Sequence, residues 1–142
     1  MADTHRGHLV FACGSSLYAV PAETAAEVVT LPVLTRVPGA PMHLVGVFAH
    51  RGEVLPVIDL SRLAGKPLDD TARRAVLVRS TGGAVAITAT KVLGVSTLEG
   101  TPERLGEKGL QAHLRGPARA PAGEVAVIEP DGLFDFLSRG GA

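Results

Sequence analysis

Three histidines are the residues of this chain whose type most readily suggests a chemical site. His43, His50 and His113 carry imidazole rings, and imidazole is a common zinc ligand. They form no metal-ligand set with cysteines or carboxylates, and the other two histidines lie close to the N-terminus. His50 falls in a short polar break, where a histidine can respond to pH near neutrality but where solvent exposure alone also explains it. We therefore expect no metal and no cofactor.

A catalytic nucleophile is a second chemistry to consider, and the sequence does not favour it. Cys13 ends an apolar run, and no helix N-terminus or base is apparent beside it to activate the thiol. Residues 80–83, Ser-Thr-Gly-Gly, lack the Lys-Ser/Thr pair and the helix that complete a phosphate-binding loop. Asp59 has no clear catalytic partner, and it stands where a short helix over 60–64 needs an N-terminal cap. We expect no enzymatic activity.

Arg51 suggests a different chemistry, which is the binding of a protein partner. It lies in the polar break 49–53, between apolar runs at 44–48 and 54–58, and the prolines of 37–41 stiffen the approach. This pattern predicts a buried β-hairpin with an arginine exposed at its tip. Arginine is enriched among the residues that dominate binding energy at interfaces. The alternative interpretation is an exposed turn arginine without a role.

Composition limits the classes of partner. The chain has 142 residues, enough for one domain with its own core, and 46% of them are hydrophobic. Its formal net charge is zero, and with one tyrosine, four phenylalanines and no tryptophan it offers few stacking surfaces, so nucleic acid is not an expected partner. A single cysteine, no apolar signal segment and no run long enough to span a bilayer predict a cytoplasmic protein without direct membrane contact.

The elements that must position the hairpin come in two related sets. Residues 9–31 align with residues 76–98 at a constant offset of 67 and without a gap. Few of the aligned residues are identical, so the matching apolar pattern is the better evidence for a duplication. It predicts one domain over 1–142, with 8–65 mainly in a first unit and 75–138 mainly in a second, and with the chain crossing between units at the ends.

Short runs of Val, Leu and Ile bounded by Gly, Pro, Ser and Asp predict five strands in each half. Helical turns are expected after Pro21 and Thr101, and Asp131 is expected to cap a terminal helix over 133–137. Residues 116–123 are rich in Pro and Gly and are expected to be a mobile loop. Five short strands can close into a small barrel, which removes exposed edges. The fold class is therefore all-β with short helices, in two small five-stranded β-barrels packed together with a hydrophobic groove between them. The predicted strands are 8–13, 17–20, 27–31, 44–49, 53–58, 75–80, 84–89, 92–98, 111–115 and 124–129.

At this point the first half resembles a known family, the CheW-type chemotaxis coupling proteins. The similar elements keep their order and spacing over 9–65, and the run RGxVxPVIDL that starts at Arg51 is the most specific of them. The second half follows the pattern more loosely. The resemblance implies a non-enzymatic adaptor that couples the cytoplasmic tip of a chemoreceptor to the regulatory domain of a histidine autokinase. The matching elements are Leu9-Val10-Phe11, Tyr18 to Pro21, Glu27-Val28-Val29, Leu34 to Pro38, Gly46-Val47, Arg51-Gly52 and Pro56 to Leu60.

The resemblance also implies which residues contact partners. Arg51 and Gly52 match the last two positions of the family's Asn-Leu-Arg-Gly signature, Glu27 matches an acidic residue at partner contacts, and Gly46 matches a glycine near the kinase-facing surface. Val54 follows the turn and is expected to pack in the interface. For Val85 and Ile87, the residues alone leave groove lining and ordinary core both open. The full set of expected partner-binding residues is Glu27, Val28, Gly46, His50, Arg51, Gly52, Val54, Val85 and Ile87.

Departures from the family pattern keep two alternatives open. Ala49 and His50 replace the Asn and Leu of the signature, and Thr90 stands where members often carry Asp. In the first alternative, the protein is a CheW-like scaffold of a divergent pathway, such as gliding motility or gene regulation. Its partner would then be non-standard, which would account for the changed residues at the hairpin tip. The other alternative is a small-molecule-binding or enzymatic β-barrel, which would require polar residues that converge in the groove.

Overall fold

The runs of β-branched and aliphatic residues form strands, and glycine-containing turns connect several of them. The computed structural model describes residues 6–67 and 71–139, and the elements below lie in those ranges. Two short 3₁₀ turns, Ala22–Thr24 and Gly109–His113, accompany the α-helices α1 (Leu60–Leu63) and α2 (Pro130–Ser138). The strands are β1 His8–Cys13, β2 Ser16–Pro21, β3 Ala25–Thr30, β4 Leu44–His50, β5 Glu53–Ile58, β6 Arg74–Ser80, β7 Gly83–Ala89, β8 Lys91–Ser96, β9 Glu103–Arg104, β10 Leu114–Ala120 and β11 Gly123–Ile128.

The strands form two sheets with the same internal order. The five-stranded sheet runs β3-β6-β7-β5-β4, and the six-stranded sheet runs β8-β1-β2-β11-β10-β9. If the two halves are exchanged, the offset of 67 makes β3, β6 and β7 correspond to β8, β1 and β2. The hairpin β4–β5 corresponds to β10–β11 at a slightly larger offset, since Leu44 aligns with Leu114 and Gly52 with Gly123. Each sheet therefore takes strands from both halves, and β9 is an addition to the second sheet. The parallel pairs β5–β7 and β2–β11 are equivalent under the same exchange.

In both sheets, the chain that leaves the first strand in the order given above returns to pair, through one bridge, with a strand on the far side of the sheet. In the five-stranded sheet, the chain beyond β3 returns so that Thr35 and Val47 exchange two backbone hydrogen bonds of 2.9 Å. In the six-stranded sheet, Glu99 and Arg119 make the equivalent exchange, also at 2.9 Å. The predicted fold class is confirmed in this form, as a mostly β protein of two packed sheets with five and six strands.

Alternation along the strands divides the apolar residues among three clusters. On β6, Ala75 and Leu77 face the interior of the five-stranded sheet, whereas Val76 and Val78 face the space between the sheets. On β1, Val10 faces the interior of the six-stranded sheet. Because side chains alternate along a strand, each central strand supplies two cores at once. The cluster in the space between the sheets is the largest of the three.

The second half contains the elements that differ from the prediction. Residues 109–113 form a 3₁₀ turn, so the strand predicted at 111–115 begins instead at Leu114 and continues to Ala120. The expected loop at 116–123 is thus wrong over most of its length. Pro117 is accommodated because the register shifts between Arg115 and Ala118, and a proline at a bulge does not have to donate a ladder hydrogen bond.

The predicted helix cap is confirmed for α1 and wrong for α2. Asp59 caps α1 as predicted, since its carboxylate accepts a hydrogen bond from the Arg62 N–H at 3.1 Å. Asp131 is not a cap, because α2 begins at Pro130 and Asp131 lies inside its first turn. The Asp131 carboxylate instead accepts hydrogen bonds from the N–H and the hydroxyl of Thr81, at 2.9 and 3.3 Å, and so fastens α2 to the β6–β7 turn. The helix expected after Thr101 is also wrong, since β9 forms there.

Candidate partner-binding site at the hairpin tip

The tip of the β4–β5 hairpin is a two-residue turn with unusual backbone geometry. His50 pairs with Glu53, which leaves Arg51 and Gly52 at the corner with φ angles of 51° and 80°. Two positive φ angles match a type I′ turn, whose twist suits the flanking strands. Glycine adopts this geometry freely, but for arginine it costs about 1 kcal/mol. Among the described residues, Arg51 is the sole non-glycine with positive φ.

Arg51 is held at this corner by a carboxylate from the opposite edge of the sheet. Its Nη1 lies 3.3 Å from Oε1 of Glu27 on β3, and its Nη2 lies 3.4 Å from Oε2. The Arg51 side chain is still 77% exposed, whereas that of Glu27 is 30% exposed. The ion pair therefore orients the guanidinium without covering it, and an exposed pair of this kind contributes only about 0.5 kcal/mol to stability.

His50 contacts the same carboxylate from the inner side. Its Nε2 lies 3.2 Å from Oε1 of Glu27, and its side chain is 20% exposed. The ring also meets the edge of Phe48 at a centroid distance of 6.0 Å. The Glu27 carboxylate is thus contacted by His50 on its interior side and by Arg51 on its solvent side.

Strand alternation explains why charged groups gather here. Glu27, His50, Glu53 and Arg79 each lie two residues from a side chain of the five-stranded sheet's interior, on β3, β4, β5 and β6 respectively. They occupy the last inward-facing positions before the strands end, and Arg79 pairs with Glu53 at 3.3 Å. These four groups form a polar mouth that closes the apolar interior against water. The interior side chains next to them are Val29, Phe48, Leu55 and Leu77.

Two further expected contact residues lie on the outer face of this sheet. Val54 is 68% exposed on β5, and Val28 is 37% exposed on β3. Both are neighbours in sequence of the mouth residues Glu53 and Glu27, so they face outward while those side chains face the mouth. These two valines would therefore add exposed apolar area to a binding surface, whereas Arg51 is the residue type that is enriched among binding hot spots.

Gly46 has a structural role that sequence reasoning left open. A Cβ at this position would lie 2.8 Å from the Leu34 Cβ and 2.9 Å from the Thr35 carbonyl oxygen. The strand register also shifts between Leu44 and Gly46. Glycine is therefore required for the close approach that joins the sheet's two edges, and a partner contact at Gly46 stays a prediction.

Val85 and Ile87 lie in the core between the sheets. Ile87 is fully buried, and Val85 is 4% exposed. Ile87 therefore offers a partner almost no area, whereas Val85 is a core residue that also lines the groove described below, and a partner contact at either residue stays a prediction. Thr90, at the position where the family often carries Asp, donates its hydroxyl to the Ala12 carbonyl at 3.1 Å and ties β7 to β1.

An apolar groove separates the five-stranded sheet from α2. It has a volume of about 350 Å³. Burial lowers the pKa of His43 in its wall. The α2 side of this groove was missed at the sequence level, although the spacing of Leu133, Phe134 and Leu137 carries the signal of an amphipathic helix. The lining residues are Pro41, His43, Leu44, Pro56, Ile58, Val85, Phe134, Leu137 and Ser138.

The buried polar side chains of the described residues have hydrogen-bond partners within the fold. Asp59 is fully buried and accepts a hydrogen bond from the Thr88 hydroxyl at 3.3 Å in addition to capping α1. Burial is the main cause that raises the pKa of Tyr18, and the nearby Cys13 is the second. Over residues 6–67 and 71–139, no three His, Cys, Asp or Glu side chains are grouped so as to hold a metal ion. No helix in those ranges is long and apolar enough to cross a membrane.

Comparison with known proteins identifies the family. The CheW-like domain matches residues 7–135, which is nearly the whole chain. The chain belongs to the CheW-like domain family. It is 36% identical to Protein FrzA of Myxococcus xanthus over 122 residues, covering 82% of this chain and 76% of that protein. It is 30% identical to the probable chemotaxis protein CheW of Rhizobium etli over 133 residues, covering 89% of this chain and 85% of that protein.

A solved structure supports the fold independently. The crystal structure of the scaffolding protein TtCheW from Thermoanaerobacter tengcongensis superposes with a TM-score of 0.77, covering 94% of this chain and 90% of that one, at 22% sequence identity. The family match places the chain among the CheW-like adaptor proteins, which are not enzymes, and the superposition shows that it has their fold. The expectation drawn from the RGxVxPVIDL run and the elements around it is confirmed at this level.

Proposed function

We propose that this protein couples a chemoreceptor or receptor-like protein to the regulatory domain of a histidine autokinase, and that it does so in the cytoplasm without contacting nucleic acid or membrane. The observation that carries the proposal is the hairpin tip, where Arg51 is exposed, oriented by Glu27 and strained in its backbone. Strained backbone is usually retained where function requires it. A binding role for the guanidinium accounts for an arginine in a position that favours Asn or Gly.

The binding surface would combine this charged tip with apolar area. Val54 and Val28 supply exposed apolar side chains beside Arg51 and Glu27. Gly52 completes the turn, and His50 supports Glu27 from the inner side. Such a surface is small, so each contact would be weak on its own. Several weak contacts in an assembly of receptors and kinases would supply avidity that a single interface lacks.

The proposal is tested by co-purification with the histidine kinase encoded in the same operon. Arg51→Glu reverses the charge at the tip, brings a second carboxylate next to Glu27, and is expected to reduce the amount of kinase or receptor recovered at least tenfold. The matched control is Arg139→Glu, because Arg139 is similarly exposed and also paired with a carboxylate, that of Asp135. Equal losses in both variants, or no loss in Arg51→Glu, would contradict a role for the tip.

A divergent circuit is the second candidate function, and one observation favours it. Ala49 and His50 replace the Asn and Leu that the CheW-type signature carries, and His50 contacts the carboxylate that orients Arg51. A partner adapted to this tip would differ from a standard receptor or kinase, as in a pathway for gliding motility or gene regulation. Mass spectrometry of proteins retained by the wild type and lost with Arg51→Glu distinguishes the two circuits.

A further inference from the structure

One carboxylate oxygen at the hairpin tip is shared by two groups. Oε1 of Glu27 lies 3.2 Å from Nε2 of His50 and 3.3 Å from Nη1 of Arg51. Arginine keeps its positive charge at all relevant pH values, whereas histidine is the side chain that ordinarily changes charge between pH 5 and 8. The balance of the two contacts therefore depends on whether the His50 ring carries one proton or two.

Protonation of His50 changes the electrostatics of the tip in a defined direction. With a neutral ring, Glu27 and Arg51 cancel, and the ring can donate only a neutral hydrogen bond to Oε1. With a charged ring, His50 becomes a second cation for the same carboxylate and repels the Arg51 guanidinium beside it. The three groups then carry a net charge of about +1, and the attraction of Glu27 is divided between two cations.

The other charged groups near His50 do not offset this change. Glu53 lies opposite His50 in the hairpin register, but its carboxylate pairs with Arg79 of β6 at 3.3 Å. Phe48 presents its ring to the imidazole and carries no charge. Glu27 from β3 and Arg51 from the turn are thus the charged groups in direct contact with the imidazole or its partner oxygen.

We propose that His50 sets how strongly Glu27 retains Arg51, and that acidification releases Arg51 toward an acidic group on a partner. This inference rests on the proposed function, because it assigns a regulator to the same tip. It does not extend to proteins that follow the CheW-type signature, which has leucine at the position of His50. Binding of a partner carboxylate is expected to be about threefold tighter at pH 6 than at pH 8, which is the size of one exposed ion pair.

The first test uses the free full-length protein, so that it does not depend on any partner. In a pH titration followed by NMR, the Arg51 Nε resonance is expected to move with the same midpoint as the His50 ring. In His50→Gln, which retains a hydrogen-bonding side chain but does not titrate in this range, the Arg51 resonance is expected to stay fixed. His43→Gln is the matched control and should leave the Arg51 titration unchanged.

A second variant addresses the shared acceptor. Glu27→Gln removes the charge for which His50 and Arg51 compete, so the response of Arg51 to His50 should be lost while both resonances remain visible. An Arg51 resonance that does not follow His50, or one that still moves in His50→Gln, would overturn the inference. Neither result would bear on whether Arg51 binds a partner.

The binding arm then uses the kinase identified by co-purification as the probe, at pH 6 and pH 8. The wild type should show the threefold preference for pH 6, and in His50→Gln the ratio of the affinities at pH 6 and pH 8 should fall to about one, whatever the absolute affinity of the variant. Binding that is equally pH-dependent in both proteins would overturn the inference and leave the proposed function intact. The binding of Arg51→Glu tests the proposed function and not the role of His50. The titration of the free wild-type protein remains evidence about His50 whatever that variant does.

Discussion

At the scale of single residues, Arg51 combines three features that the sequence suggested separately or not at all. Its exposure at a hairpin tip was predicted from the polar break between two apolar runs. Its contact with Glu27 was not predictable from local pattern, because it joins residues 24 positions apart on the two edges of a curled sheet. Its positive φ follows from the two-residue turn, which fixes the geometry of both corner positions.

The cost of this geometry leads to a prediction about stability. Arg51→Asn places at the corner a residue that tolerates positive φ, in an Asn-Gly pair that is favoured in type I′ turns. It should raise the free energy of unfolding by about 0.5 kcal/mol, since relief of strain of about 1 kcal/mol exceeds the loss of an exposed ion pair. Chemical denaturation measures this directly. A loss of more than about 1 kcal/mol would show that Arg51 is retained for stability rather than for binding.

His43 provides a pH prediction at the same scale. Burial lowers its pKa in the folded protein below the ordinary value of 6.5. Between the lowered pKa and 6.5, the unfolded chain binds more protons than the folded one, so stability falls as the pH falls through this window and is fully present above it. Denaturation of the wild type and of His43→Gln at pH 7.5 and near pH 5 should show a smaller acid loss in the variant. An equal loss in both proteins would contradict the assignment to His43.

At the scale of elements, the fold depends on positions where the chain closes on itself. The turn at Arg51 and Gly52 and the cap at Asp59 act over a few residues, and the sequence predicted both. Pro117 misled the prediction, because a proline and its glycine neighbour were taken as a loop when they occupy a bulge in β10. The bond from Thr81 to Asp131 spans 50 residues, which is why Asp131 was mistaken for a cap.

Gly46 allows the closure of the five-stranded sheet to be tested. Gly46→Ala should lower the free energy of unfolding by about 2 kcal/mol, because the added methyl meets the Thr35 carbonyl oxygen and the Leu34 Cβ, both of which are part of the chain that closes the sheet. The control is Gly7→Ala, where the nearest atom is a methyl of the exposed Val95 at 3.1 Å and can give way. If the two substitutions cost the same, the edge-joining bridge is not the sensitive contact.

At the scale of the whole molecule, the chain forms two sheets of equivalent strand order apart from β9, but of the two equivalent hairpin tips that the structure describes, the one between β4 and β5 alone is charged. The hairpin β10–β11 turns through Pro121 and Ala122, where β4–β5 turns through Arg51 and Gly52. The position equivalent to Glu27 is Gly94. The repeat at a constant offset predicted the symmetry of the strands. It predicted that the chain crosses between the units at the ends, but not that β1 and β2 pair with the second half and β6 and β7 with the first, since that pairing depends on contacts between residues far apart in sequence.

The asymmetry of the two tips points to one face of the molecule as the partner face. Titration of the purified full-length protein with its operon's histidine kinase, followed by calorimetry, tests this claim most directly. The account predicts saturable binding at micromolar concentration for the wild type and for Arg139→Glu, and binding at least tenfold weaker for Arg51→Glu. Absence of binding by the wild type at high micromolar concentration, or equal affinity in all three proteins, would contradict it.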